Sequence, residues 1–100
     1  MTTMFTGTLL LDLLLPPDSR SLKTKRGYLR PVVAALRRLE VAAAEVGAVE
    51  LHGRAEFGVA AVARDPSHIA EVLDACERLV AGRPELELLS ARRRLHGGDD

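Results

Sequence analysis

The chain has one hundred residues, with 14 Lys and Arg against 14 Asp and Glu, and one cysteine. A chain of this length buries roughly two thirds of its unfolded surface, so it reads as a single domain whose core needs neither metal nor disulfide. Zero net charge excludes a whole-molecule field favouring nucleic acid or membrane, and the lone Cys76 excludes an internal disulfide and reads as a small buried side chain.

The apolar run within Met1 to Leu15 lacks a positive start, is interrupted by Asp12 and ends in Pro16-Pro17, which argues against a signal peptide. No stretch approaches the roughly eighteen apolar residues of a membrane span, so the expected location is the cytoplasm and no membrane partner is expected. From Phe5 to Leu15 the odd positions are apolar or small, while Thr6, Thr8 and Asp12 stand among the even ones. This period of two predicts a first strand, stopped by Pro16-Pro17-Asp18 because proline cannot donate to a sheet ladder.

Ser21 predicts the cap of a helix starting at Leu22, since its short hydroxyl can accept from the first free backbone N–H groups. At 3.6 residues per turn Leu22, Leu29, Val33 and Leu36 share one side, with Val32 and Leu39 at its margin, and form the expected buried face. Gly27 and Pro31 weaken a helix interior by about 1 and roughly 3 kcal/mol, which predicts a kink between them. Between Ser19 and Leu39 stand seven basic residues and no acid. Lys23, Arg26, Arg30 and Arg37 follow at spacings of three, four and seven, a second stripe beside the apolar one. Such a stripe is either a solvated face or a surface that neutralises successive phosphates. Arg20 stands just before it, where free N–H groups of the helix start add to an anion site.

Val41 to Gly47 reads as a second strand, Ala48 to Arg54 as a loop turning at Gly53, and Ala55 to Arg64 as a third strand. Asp65-Pro66 starts a second helix, with Asp as cap and Pro at the first helical position where its missing N–H costs nothing. Ile69, Val72, Leu73, Cys76, Leu79 and Val80 form its apolar face and Gly82 ends it. Asp65, Glu71, Asp74 and Glu77 make this helix acidic, so the molecule is bipolar. Glu85 to Leu95 reads as a fourth strand, leaving residues 96–100 as a disordered tail.

The order βαββαβ predicts an α+β, ferredoxin-like two-layer sandwich over residues 1–95, an antiparallel sheet of order 4-1-3-2 with both helices on one face. The uncovered face carries Leu10, Leu14 and apolar residues in both alternations of Gly58 to Ala63. A symmetric partner is the expected cover, hence a homodimer.

Catalytic chemistry is sparse. His52, His68 and His96 have no Cys or carboxylate spacing that gathers a metal, so no metal, cofactor or catalytic residue is assigned. The turn after the first strand has no glycine to cradle a phosphate, unlike the small acylphosphatases of the same fold. Only Phe5 and Phe57 are aromatics on strands, too few for base stacking on the sheet as in RNA-recognition sandwiches, and nothing selects DNA. Arg92 and Arg94 alternate with Arg93 on the fourth strand, so those two alone can join the first helix in an RNA surface.

Ser21-Leu22-Lys23-Thr24-Lys25-Arg26, with Ala44-Glu45-Val46, Leu51, Arg54-Ala55 and Gly58-Val59-Ala60-Ala61-Val62 before Asp65, resembles the YlxP-like family of small bacterial proteins of uncharacterised function. The resemblance implies a ferredoxin-like fold and a gene neighbourhood of translation-initiation and ribosome-maturation genes. Where members often carry His-Gln-Asp-Leu after the second strand, this chain has Ala48-Val49-Glu50-Leu51. The expected function is a non-enzymatic RNA- or ribosome-associated factor using Arg20, Lys23, Arg26, Arg30 and Arg37. The alternative is an interaction module that oligomerises through its apolar sheet face, and a third option is a small enzyme acting on an anion near Arg20, His52 and Arg54.

Overall fold

A computed structural model of the chain describes residues 2–97. Its elements are β1 (Phe5–Leu14), α1 (Leu22–Arg37), β2 (Ala42–Gly47), β3 (Arg54–Ala63), α2 (Pro66–Ala81) and β4 (Glu87–His96). The sheet order is β2-β3-β1-β4 with every neighbouring pair antiparallel, the ferredoxin-like arrangement expected from the pattern.

The register puts Gly7 opposite Ala61, Leu11 opposite Phe57, and Phe57 opposite Glu45, so these share one face. Gly7 lies under Ile69 and Leu73 of α2, and Glu45 meets Lys25 of α1, so both helices cover that face. The core is the layer between them, where Leu9, Leu11, Leu13, Phe57, Val32 and Leu36 are fully or almost fully buried. α2 lies over the central strand β1 and its neighbours β3 and β4, whereas α1 lies against α2 and the edge strand β2.

Several boundaries move by a residue or two. Leu15 leaves β1 but stays buried, its N–H donating to Gly53 O at 2.9 Å. β4 begins at Glu87, because Leu86 N–H closes a turn on Arg83 O at 3.2 Å. The tail expected from His96 is a correction: His96 ends β4 opposite Thr6, because β1 is long enough to pair that far, and residues 98–100 lie outside the described residues.

α1 is continuous through Gly27 and Pro31, both exposed. The carbonyl deprived of a donor by Pro31 belongs to Gly27, an exposed residue that water can reach, so one turn can lack a bond without ending the helix. The buried face is a second correction. It is centred on Lys25, Leu29, Val32 and Leu36, while Leu22 and Val33 are only partly buried. Gly82 does end α2, but with φ −81°, so it uses none of glycine's left-handed freedom.

Candidate functional site

Ser21 starts α1 as its sequence suggests: its Oγ accepts from Thr24 N–H at 3.1 Å and lies 3.0 Å from Thr24 Oγ1. The preceding loop is tied down by Tyr28, whose hydroxyl donates to the Asp18 carboxylate at 2.8 and 2.9 Å. That bond, with desolvation and the charges of Asp18 and Glu85, raises the phenol's pKa above its ordinary value. Ser19 is buried and its hydroxyl donates to His52 O at 2.7 Å, joining this loop to the one between β2 and β3.

The principal joint is Lys25, only 2% exposed. Its ammonium donates to Ala48 O at 2.8 Å, Val49 O at 3.3 Å and Leu51 O at 2.7 Å, and stands 2.8 Å from Glu45 Oε2. An ammonium has only three N–H groups, so the three carbonyls and Glu45 Oε2 share them. Glu45 Oε2, itself buried, stands as close to the ammonium as Ala48 O, closer than Val49 O, and neutralises its charge. Ala48 has φ 57°, a left-handed backbone that costs an alanine roughly 1–2 kcal/mol. The turn holds it there because Ala48 O also accepts from Leu51 N–H at 3.0 Å.

Around this joint stand the expected basic residues. Arg20, Lys23, Arg26, Arg30 and Arg37 are all exposed. None has a carboxylate within 4.0 Å among the described residues, whereas Lys25, Arg54 and Arg93 each have at least one. Arg37 differs from the other four: its Nε and Nη2 donate to Ala43 O at 3.2 and 3.1 Å, tying the end of α1 to the edge of β2. Between α1 and β2 lies a groove of about 290 Å³. Leu22, Leu29 and Val33 form its helical wall, Val49 and Phe57 face them, and Arg26, Arg30 and Arg37 stand along it with Lys25 and Glu45.

Arg92 and Arg94 do not join this surface. They pair across from Leu10 and Thr8, on the sheet face away from the helices, at the edge opposite β2. Arg93, between them, turns to α2 and meets Asp74 at 2.6 Å and Glu77 at 3.4 Å. Burial disfavours its charge, but these two carboxylates outweigh that and raise its pKa.

The residues named for an enzyme are likewise dispersed in role. Arg54 binds the Asp12 carboxylate at 2.6 and 2.8 Å, a hydrogen bond and charge that raise its pKa, and His52 is engaged through its backbone carbonyl. Cys76 is buried in α2, where desolvation pushes its thiol pKa up against a smaller opposing effect of Arg93, so it behaves as a packing residue. Among the described residues no group of three or more His, Cys, Asp or Glu could hold a metal, and no helix is long and apolar enough to cross a membrane.

Lys25 and Glu45 were assigned no role from sequence, although a signal existed. Leu22, Lys25, Leu29, Val32 and Leu36 recur at spacings of three and four, so Lys25 sits inside an unbroken apolar heptad pattern. Glu45 follows Ala43 at the period of a strand face turned to the core. A cation and an anion that both fall on inward positions pick each other out.

A comparison with curated proteins finds no match. A family model described as a protein of unknown function, DUF503, matches residues 6–93, from the second residue of β1 to Arg93, the middle one of the three β4 arginines, so the chain belongs to that family.

Proposed function

We propose that the protein is a non-enzymatic cytoplasmic factor that contacts RNA, free or in a ribosomal particle, through the side of α1 bearing Arg20, Lys23, Arg26, Arg30 and Arg37. One observation carries this: the five cations gather on and just before one helix, and none is spent on a carboxylate among the described residues. From Lys23 to Arg37 they extend about 21 Å at 1.5 Å per residue, enough to meet several phosphates of one strand. A YlxP-like identity within the family belongs to the same proposal. It is supported by the run from Ser21 to Arg26, in which Ser21 caps α1, Lys25 holds the distant loop, and Lys23 and Arg26 face outward.

The test is binding of labelled ribosomal RNA and isolated ribosomal subunits at low and moderate salt, for the native chain and for Lys23→Glu, Arg26→Glu and Arg30→Glu combined. Loss of three phosphate contacts lowers the slope of log affinity against log salt by about 2. Equal binding by the triple variant would remove α1 from any RNA contact.

A second property, homodimerisation through the open sheet face, is supported by a different observation. Ala42, Ala44 and Val46 of β2 adjoin Gly58, Ala60 and Val62 of β3 on that face, with Val46 57% and Val62 68% exposed. Contiguous apolar surface of this kind marks an interaction site. Sedimentation should show a dimer that Val46→Glu with Val62→Glu converts to a monomer; a monomeric native chain would exclude it.

A further inference from the structure

The groove beside α1 combines three things that a solvated helix face does not need: an apolar interior, a cationic rim and a carboxylate in its lining. The carboxylate is the informative part. Glu45 is 26% exposed: its buried Oε2 is held by the Lys25 ammonium at 2.8 Å, while its other oxygen accepts no hydrogen bond from any described residue. An aliphatic guest would strip further water from Glu45 and supply no donor in return, which leaves a charged acceptor unsatisfied. An acidic peptide would satisfy the arginines but bring like charge towards Glu45. A nucleobase meets all three demands: its faces are apolar enough for Leu22, Leu29 and Val33, its edge carries N–H groups, and its own backbone brings phosphates to the rim.

We propose, building on the RNA contact through α1, that this groove takes one unstacked base of a single strand. The base lies between the α1 wall and Val49, with its amino edge donating to Glu45 and the flanking phosphates on Arg26 and Arg30. Arg37 closes the far end of the groove: its Nε and Nη2 are held by Ala43 O, and its remaining N–H groups face the next phosphate along the strand. Adenine, cytosine and guanine carry an exocyclic amine for Glu45. Uracil carries only a ring N–H between two carbonyl oxygens, which face the carboxylate unfavourably. A duplex keeps its bases stacked and offers nothing to the groove. The site therefore selects single strands with an amino-bearing base, while the basic row supplies affinity without regard to sequence.

The test uses the full chain and fluorescently labelled oligo(A), oligo(C) and oligo(U), together with an RNA duplex of the same length. Ala34 is exposed and lines the groove, so Ala34→Trp fills it without touching the core; Glu45→Gln removes the carboxylate. The native chain is expected to bind oligo(A) and oligo(C) about tenfold more tightly than the duplex and several-fold more tightly than oligo(U). Ala34→Trp brings oligo(A) down to the duplex level and leaves duplex affinity and its salt dependence unchanged. Glu45→Gln, checked for native unfolding behaviour, loses the discrimination against oligo(U). Retained duplex binding with no preference for single strands, or a preference that survives Ala34→Trp, overturns the base site alone. Failure of the native chain to bind any RNA overturns the α1 contact itself. Binding of an acidic, leucine-containing peptide in place of RNA, blocked by Ala34→Trp, would also overturn the proposal and turn the groove over to a protein partner.

Discussion

The two helices have sixteen residues each and share one sheet face, yet they are built for different work. α2 lies over the central strand and buries Ile69, Leu73, Cys76 and Val80, with Asp74 and Glu77 paired to Arg93. α1 lies against the edge strand, buries a lysine among its apolar residues, leaves a groove alongside and keeps its outer cations without carboxylate partners among the described residues. A helix over the middle of a sheet finds strands on both sides to close against. A helix at the edge has a strand on one side only, so its flank stays open to a ligand. The contrast separates an element whose charges serve the fold from one whose charges remain available.

Breaking Lys25 should give the largest effect. Lys25→Met leaves the partly buried Glu45 carboxylate without its cation and frees three loop carbonyls, a loss of about 3–5 kcal/mol in denaturant unfolding. Adding Glu45→Leu should recover much of it, because an apolar pair fills the same space without a desolvated charge. A Lys25→Met protein as stable as the native one would mean that this pair does not organise the loop.

The acid limb sharpens the comparison from the α2 side. Asp65 accepts from Ser67 Oγ at 2.7 Å and Ser67 N–H at 2.9 Å, and these bonds, aided by His68, hold its pKa below the ordinary aspartate value. Because the folded-state pKa is the lower one, the carboxylate's contribution is present above the unfolded value and disappears as pH falls through the folded value. Asp65→Asn keeps a good cap but cannot titrate. Its unfolding midpoint, followed by circular dichroism, should fall less steeply than that of the native chain below the usual carboxylate range. Parallel curves would remove Asp65 from the acid response.

The smallest effect on stability belongs to the exposed row of α1. The Lys23, Arg26 and Arg30 reversals used for RNA binding should each change stability by about 0.5 kcal/mol or less, since no carboxylate among the described residues meets these side chains. Lost RNA binding with an unchanged unfolding curve would therefore separate the two helices by role, whereas a large destabilisation would place the row in the fold.

Much of α2 was legible because its signals are local. Asp65-Pro66 and the spacing of Ile69, Leu73, Cys76 and Val80 lie within one helix, and each reports its own backbone. The basic row of α1 was equally legible, as was the alternation that sets Arg92 and Arg94 apart from Arg93. What was missed depends on distance along the chain. Arg92 and Arg94 could be joined to α1 on paper, but the sheet places them on its other face and at its other edge. Val33 and Val32 exchanged roles because the true helix face is set by where α1 meets β2 and α2. Lys25 passed as one more cation of a basic run.

Sequence alone determined the order of elements, their caps and the side of α1 that carries charge, because periodicity, proline and short hydroxyls act on neighbouring residues. Only the tertiary structure decided which cations remain available. It sends Lys25 to carbonyls more than twenty residues away, Arg54 to Asp12 and Arg93 to Asp74, and leaves Lys23, Arg26 and Arg30 without such partners among the described residues. A charge is neutralised by whatever stands within a few ångströms, and which groups stand there is settled by how strands and loops remote in sequence pack together.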